Sequence, residues 1–159
     1  QYKTNFKCLM PTNLYGPNDN YDLNNSHFVP ALISKIHKIK SQKKNTIKIW
    51  GNGLAKREIL YVDDLAEACV YFMNKKTKHT LINIGTGKDH SIKDLTKKIL
   101  KILVPNKKIK VSYDTSKPNG TPRKVLDVSI ARMYGWKHRY ELSDAIKITY
   151  NSFLSYGKK

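Results

Sequence analysis

At 159 residues the chain is long enough for one ordinary domain or for a piece of a larger one. Hydrophobic residues make up 40% of it, yet no apolar run approaches the roughly 20 residues a membrane helix needs. The opening Gln1-Tyr2-Lys3-Thr4-Asn5 has neither the charged head nor the apolar stretch of a signal peptide and no initiator Met, as if the chain began inside something longer. A net charge of +18 invites a nucleic-acid reading, because Lys and Arg release counterions from phosphates. Only Arg57, Arg123, Arg132 and Arg139 among the 30 basic residues are arginines, however, and the lysines are spread over every segment. Many fall on the polar faces of amphipathic helices, so most of the charge reads as composition bias, with a fraction available to steer an anion into a cleft.

In chain order, residues 5–10 read as a buried strand. Pro11 ends it and opens a loop rich in Asn, Asp, Gly and Pro as far as Ser26. Val29, Leu32, Ile33 and Ile36 recur at helical spacing and predict a helix over 28–40. Thr46 to Trp50 alternates like a strand, Gly51-Asn52-Gly53 turns the chain, and Glu58 to Val62 is a second strand. Asp64 with Glu67 resembles a capping box, opening a helix that buries Leu65, Ala68, Cys69, Phe72 and Met73. A strand over 81–84, a helix opened by Ser91 and Asp94, a strand over 109–113, a polar loop over 114–124, a short helix near 129–133 and a final helix over about 142–155 complete the chain. Strands alternate with helices, so the class is α/β. Cys8 and Cys69 lie far apart in apolar surroundings and read as buried, reduced thiols, and the five histidines lack metal-ligand spacing, so no metal is expected.

The informative stretch is Met10-Pro11-Thr12-Asn13-Leu14-Tyr15-Gly16-Pro17, a strand running into a loop where a parallel α/β sheet places its ligands. Its wording resembles the loop after the sixth strand of extended short-chain dehydrogenases that act on nucleotide sugars, the GDP-L-fucose synthases in particular. Three further blocks are similar in the same order. They are Asn25-Ser26-His27-Phe28-Val29-Pro30-Ala31-Leu32; Trp50-Gly51-Asn52-Gly53 with Arg57-Glu58 and Val62-Asp63-Asp64-Leu65-Ala66; and Asp114 to Lys124 with Leu126-Asp127-Val128. The Arg57 and Asp63-Asp64 signal is shared by many nucleotide-sugar epimerases. The first and last blocks together are particular to the fucose synthases.

That resemblance implies a Rossmann-type fold of which residues 1–159 are the C-terminal, substrate-binding part, an incomplete parallel sheet with a small α/β lobe. By the same resemblance the N-terminal, NADP-binding half, with its glycine-rich turn and its Tyr-x-x-x-Lys pair, is expected to be absent from these residues. The family epimerises GDP-4-keto-6-deoxy-mannose at the two carbons flanking the ketone and reduces the ketone with NADPH. His27 matches the acid/base histidine, a residue type whose pKa suits proton transfer near neutral pH. Pro11, Thr12, Asn13 and Leu14, together with His27, match the positions that bind NADP(H). Arg57, Lys124 and Lys35 match phosphate-contacting positions, with Lys35 standing where the family usually has Arg and so lacking the planar fork. Trp50 matches a residue of the guanosine-sugar pocket.

Without the resemblance, His27 reads as a surface helix cap, Trp50 as a core aromatic and Arg57 as a surface ion pair with Glu58 or Asp63. Two Tyr-x-x-x-Lys spacings, Tyr71 to Lys75 and Tyr113 to Lys117, are no more than chance supplies in a chain with ten tyrosines and this lysine content. Gly85-Thr86-Gly87 starts like a phosphate loop, but the third glycine of G-x-G-x-x-G would fall on His90, so a tight strand-to-helix turn is expected. The partners expected are a GDP-sugar, no nucleic acid, no membrane, and either a homo-oligomer or association through an exposed sheet edge, in the cytoplasm. The isolated part is expected to be inactive alone. Two other readings stay open: a part of another nucleotide-sugar epimerase or reductase, and a binding module without catalysis.

Overall fold

The computed structural model describes residue 4, residues 6–42 and residues 44–156, with the side chain of the last left aside. The part of the expected first strand at Asn5, and Gln1 to Lys3, lie outside the described residues. Nine strands and five helices follow one another in the described chain. Strand β1 (Cys8–Pro11) pairs in parallel with β6 (Leu81–Ile84), Cys8 opposite Leu81 and Pro11 opposite Ile84. Strand β2 (Asn13–Tyr15) pairs in parallel with β5 (Ile59–Tyr61). Strand β3 (Thr46–Trp50) pairs in parallel with β8 (Lys110–Asp114). A small three-stranded sheet has β4 (Lys56–Arg57) at its centre, antiparallel to β7 (His90–Ser91) and parallel to β9 (Arg123–Lys124). Parallel pairs need long crossovers, which here carry the helices α1 (Phe28–Ser41), α2 (Val62–Asn74) and α3 (Ile92–Leu103), while α4 (Ser129–Met133) and α5 (Leu142–Tyr156) follow the last strand.

Two apolar clusters hold these layers. In the larger, α1 turns Val29, Leu32, Ile33, Ile36 and Ile39 inward at three- and four-residue spacing, against Ile47 and Ile49 of β3 and Ile99 and Leu100 of α3. Ala145, Ile146 and Tyr150 of α5 close it. The alternation of β3 leaves Thr46, Lys48 and Trp50 outside while Ile47 and Ile49 are buried. The second cluster joins Leu60, Ala68, Phe72, Ile82, Ile84, Ala131 and Trp136, packing α2 and α4 on β5 and β6. No helix among the described residues is long and apolar enough to cross a membrane.

Several sequence expectations are corrected here. β1 is not buried: Cys8, Met10 and Pro11 are exposed, because among the described residues β6 is its one strand partner and its other edge is open. Both cysteines are exposed, Cys69 on the outer face of α2 beside Val70 and Met73. The buried row of α2 is therefore Asp64, Ala68 and Phe72, with Leu65 at the margin. The stretch from Pro11 to Ser26, expected to be loop, begins with the last residue of β1 and contains β2. The strand expected from Glu58 to Val62 is shorter, because the chain is already helical at Val62.

The capping box at Asp64 is absent as well. Tyr61 is the N-cap of α2 and makes no side-chain cap, and Asp64 is buried, accepting the backbone N–H of Arg139 at 2.7 Å. The start of α3 is capped as expected: Ser91 Oγ accepts the Asp94 N–H at 3.0 Å and its hydroxyl donates to the Asp94 carboxylate at 2.6 Å. Ser91→Ala is expected to cost about 1 kcal/mol, read from the urea-denaturation midpoint. An unchanged midpoint would mean that α3 does not depend on this cap.

Candidate functional site

Two clefts lie side by side where the sheets meet. The first, of about 730 Å³, is walled by Pro11 to Asp19, His27, Val62 and Lys124 to Leu126. The second, of about 240 Å³, takes Ser26, Lys35, Trp50, Arg57 and Asn119 among its walls. All five positions expected at the cofactor, Pro11, Thr12, Asn13, Leu14 and His27, thus line one cleft. Three of the four expected at the substrate line the other. Lys124 lies on the first cleft rather than with Lys35, Trp50 and Arg57, and the ladder explains it: Lys124 is the register partner of Arg57 between β9 and β4. The two basic side chains stand at one divide between the clefts, and the adjacent residues Ser26 and His27 stand at another.

His27 is the N-cap of α1 by backbone geometry, with its C=O accepting the Ala31 N–H at 3.0 Å. Its ring caps nothing and makes no hydrogen bond among the described residues, so it is free to meet a ligand in the first cleft. Asp19 lies close enough to be influenced by it. Burial raises the Asp19 carboxyl above its ordinary range, while the Asn20 amide and then His27 act against that. Asn13 is held by a hydrogen bond from its Nδ2 to the Glu58 carbonyl at 2.7 Å, which fixes the wall formed by Pro11 to Leu14.

Trp50 is 51% exposed, so it is not a core aromatic. Lys35 Nζ stands 6.0 Å from its ring centroid and Lys117 Nζ 5.5 Å, an aromatic face between two cations. Lys35 also donates to the Lys48 carbonyl at 2.9 Å, and partial desolvation of its ammonium group lowers its pKa. Arg57 pairs with neither Glu58 nor Asp63. Its Nη1 donates to the carbonyls of Lys56 at 2.7 Å and Thr121 at 2.6 Å, which aims the guanidinium while leaving its charge without a carboxylate partner among the described residues.

The loop over 114–124 is tied to the second cleft by Asn119, whose Oδ1 accepts the Asn52 N–H at 2.7 Å over Gly51, where φ is +73°. Asp114 starts that loop. The Ser116 hydroxyl at 2.6 Å and then Lys48 at 3.0 Å hold its carboxyl down at about 2. A depressed carboxyl contributes stability above its unfolded pKa of about 3.9 and loses it as pH falls through the folded value. Thermal midpoints are therefore expected to fall less steeply between about pH 5 and pH 2 in Asp114→Asn than in the parent. Parallel curves would exclude the contribution.

Sequence reasoning missed Glu58, whose side chain is fully buried beside the first cleft. The signal was there: an acidic residue leading directly into the apolar Ile59-Leu60-Tyr61. It also explains the false phosphate loop. Gly87, at φ +70°, gives its N–H to Glu58 Oε1 at 2.7 Å, so that amide is committed to a carboxylate. The two Tyr-x-x-x-Lys spacings are structural as well. The Tyr71 hydroxyl donates to the Tyr134 carbonyl at 2.6 Å, and Tyr113 packs on Gly53. No group of three or more His, Cys, Asp or Glu among the described residues could hold a metal ion.

Comparison with known proteins bears on this arrangement. Residues 1–85 match the NAD dependent epimerase/dehydratase family. The GDP-L-fucose synthase of Escherichia coli strain K12 is 40% identical over 163 aligned residues, covering 97% of this chain and 50% of that protein. Among solved structures, the GDP-mannoheptose C4 reductase from Campylobacter jejuni with NADP bound superposes with a TM-score of 0.79 at 34% identity, covering 97% of this chain and 51% of that one. A GDP-L-fucose synthetase from Naegleria fowleri bound to NADP superposes with a TM-score of 0.84 at 25% identity, covering 97% and 48%. The chain spans about half the length of the relatives it matches.

Proposed function

Since the chain belongs to the NAD dependent epimerase/dehydratase family, we propose that it forms the sugar-nucleotide site of a GDP-L-fucose synthase, acting on GDP-4-keto-6-deoxy-mannose. The convergence of Pro11 to Leu14 and His27 on one cleft, abutting the cleft of Lys35, Trp50 and Arg57, carries this reading. In it, the guanosine end lies at Trp50 and Lys35, and the diphosphate is gripped by Arg57 and Lys124 at the divide. The keto-sugar then reaches His27. An α-carbon beside a ketone is acidified, so His27, with an uncommitted ring, exchanges a proton there as one member of an acid/base pair. The wall of Pro11 to Leu14, with Asn13 pinned to Glu58, fits the nicotinamide side of NADP(H), which when bound supplies the hydride for the ketone. Residues 1–159 serve as the substrate-binding part, and reduction draws in addition on a dinucleotide-binding half. The protein works in the cytoplasm, where thiols as exposed as Cys8 and Cys69 stay reduced.

Calorimetric titration with GDP-mannose and GDP-fucose, with UDP-glucose as control, tests the reading. Selective uptake of the GDP sugars supports it. Equal or absent uptake by a folded chain overturns it for this chain. The reading also includes association through the open edge of β1, where Phe6 and Met10 are exposed. Sedimentation at micromolar concentration is expected to give a species larger than the monomer, and a strict monomer would remove that element.

A further inference from the structure

Glu58 sits at the crossing of three segments that have no sequence proximity to one another. Its Oε1 accepts the Gly87 N–H at 2.7 Å and the Thr86 hydroxyl at 3.3 Å, and its Oε2 accepts the Leu126 N–H at 2.8 Å. Its main chain continues the pattern. The N–H donates to the Lys124 carbonyl at 3.0 Å, and the carbonyl accepts Asn13 Nδ2 at 2.7 Å and Thr12 Oγ1 at 3.3 Å. One residue thereby touches the loop after β1, the turn after β6 and the strand β9 with the residues beyond it. Two of these segments line the first cleft, and Arg57, the neighbour of Glu58, lines the second.

The seat is made for a carboxylate. Both oxygens face donors only, two of them backbone N–H groups with a fixed direction, so an amide in its place would set an NH₂ against one of them. Gly85 completes the seat: any side chain there would collide with Glu58 Oε1, and Gly85 does not need glycine for its backbone angles.

From this geometry we infer that Glu58, seated by Gly85 and Gly87, is the positioning residue that sets Asn13, Lys124 and Arg57 in register across both clefts. The inference rests on the proposed function for the ligand, and on the hydrogen bonds alone for the coupling. Two substitutions reach the seat independently: Glu58→Gln changes the acceptor, and Gly85→Ala displaces it sterically. Each is expected to weaken GDP binding about tenfold by calorimetry while the protein stays folded. Ile39→Val, a mild core truncation near the C-terminal end of α1, should leave the affinity unchanged.

Amide spectra of nitrogen-15-labelled protein supply the second readout. Both substitutions should shift Asn13, Gly87 and Leu126 together. Unaltered GDP affinity in folded Glu58→Gln and Gly85→Ala would reduce Glu58 to a structural residue and overturn the proposal. So would shifts confined to one of the three segments. Should the parent chain itself take up no GDP, the functional reading fails separately. The joint shift of the three segments then still decides whether Glu58 positions them.

Discussion

Arg57→Ala is expected to weaken GDP binding by about 10- to 150-fold, the equivalent of losing a charged hydrogen bond of about 1.5–3 kcal/mol to the diphosphate. The size of the effect follows from how Arg57 is held. Its Nη1 is fixed on the carbonyls of Lys56 and Thr121, so the guanidinium meets a ligand already oriented, and little rotamer freedom is lost on binding. The substitution also frees Thr121 and so loosens the loop that carries Asn119. Arg57→Lys separates these contributions, since it keeps the charge and lacks the fork. An affinity midway between the parent and Arg57→Ala is expected, measured by calorimetry at fixed ionic strength. Binding of GDP by Arg57→Ala as tight as by the parent would remove Arg57 from the site.

Phe72→Ala carries the largest expected loss of stability, about 3–5 kcal/mol in the urea-denaturation free energy. Phe72 is 1% exposed and forms the main contact of α2 with the second cluster, against Leu60, Ile82, Ile84 and Trp136. Its ring meets Tyr71 edge-on with centroids 5.2 Å apart and Tyr134 at 6.5 Å, so truncation removes aromatic contacts together with apolar area. Few small domains have more than about 5–15 kcal/mol in total, so the variant should unfold at far lower urea. Met73→Ala, one position along and mostly exposed, is the matched control and should cost little. A loss for Phe72→Ala below about 1.5 kcal/mol would mean that α2 is not anchored where the contacts place it.

The amino-acid order alone determined the α/β class, the span of α1 to within a residue, the limits of β3 and β6, and the Ser91 cap, because each depends on local periodicity or on one side chain reaching its own backbone. Through resemblance of short blocks it also proposed Pro11, Thr12, Asn13, Leu14, His27, Lys35, Trp50, Arg57 and Lys124 as candidates for a site, and the fold places them on two clefts. Burial is a property of what packs from elsewhere in the chain, so the apolar period of α2 suggested an inward Cys69 and Met73 that nothing among the described residues covers. Asp64 had the spacing of a cap and instead holds a backbone segment some 75 residues away, at Arg139. The pairing of Arg57 with Lys124 across a ladder, and the burial of Glu58 among donors from three segments, involve partners 28 to 68 positions distant in sequence. No local pattern encodes such contacts, since parallel pairing and long crossovers bring together residues whose own surroundings carry no trace of one another. Only the tertiary structure decided them, and with them the division of the site into two adjoining clefts.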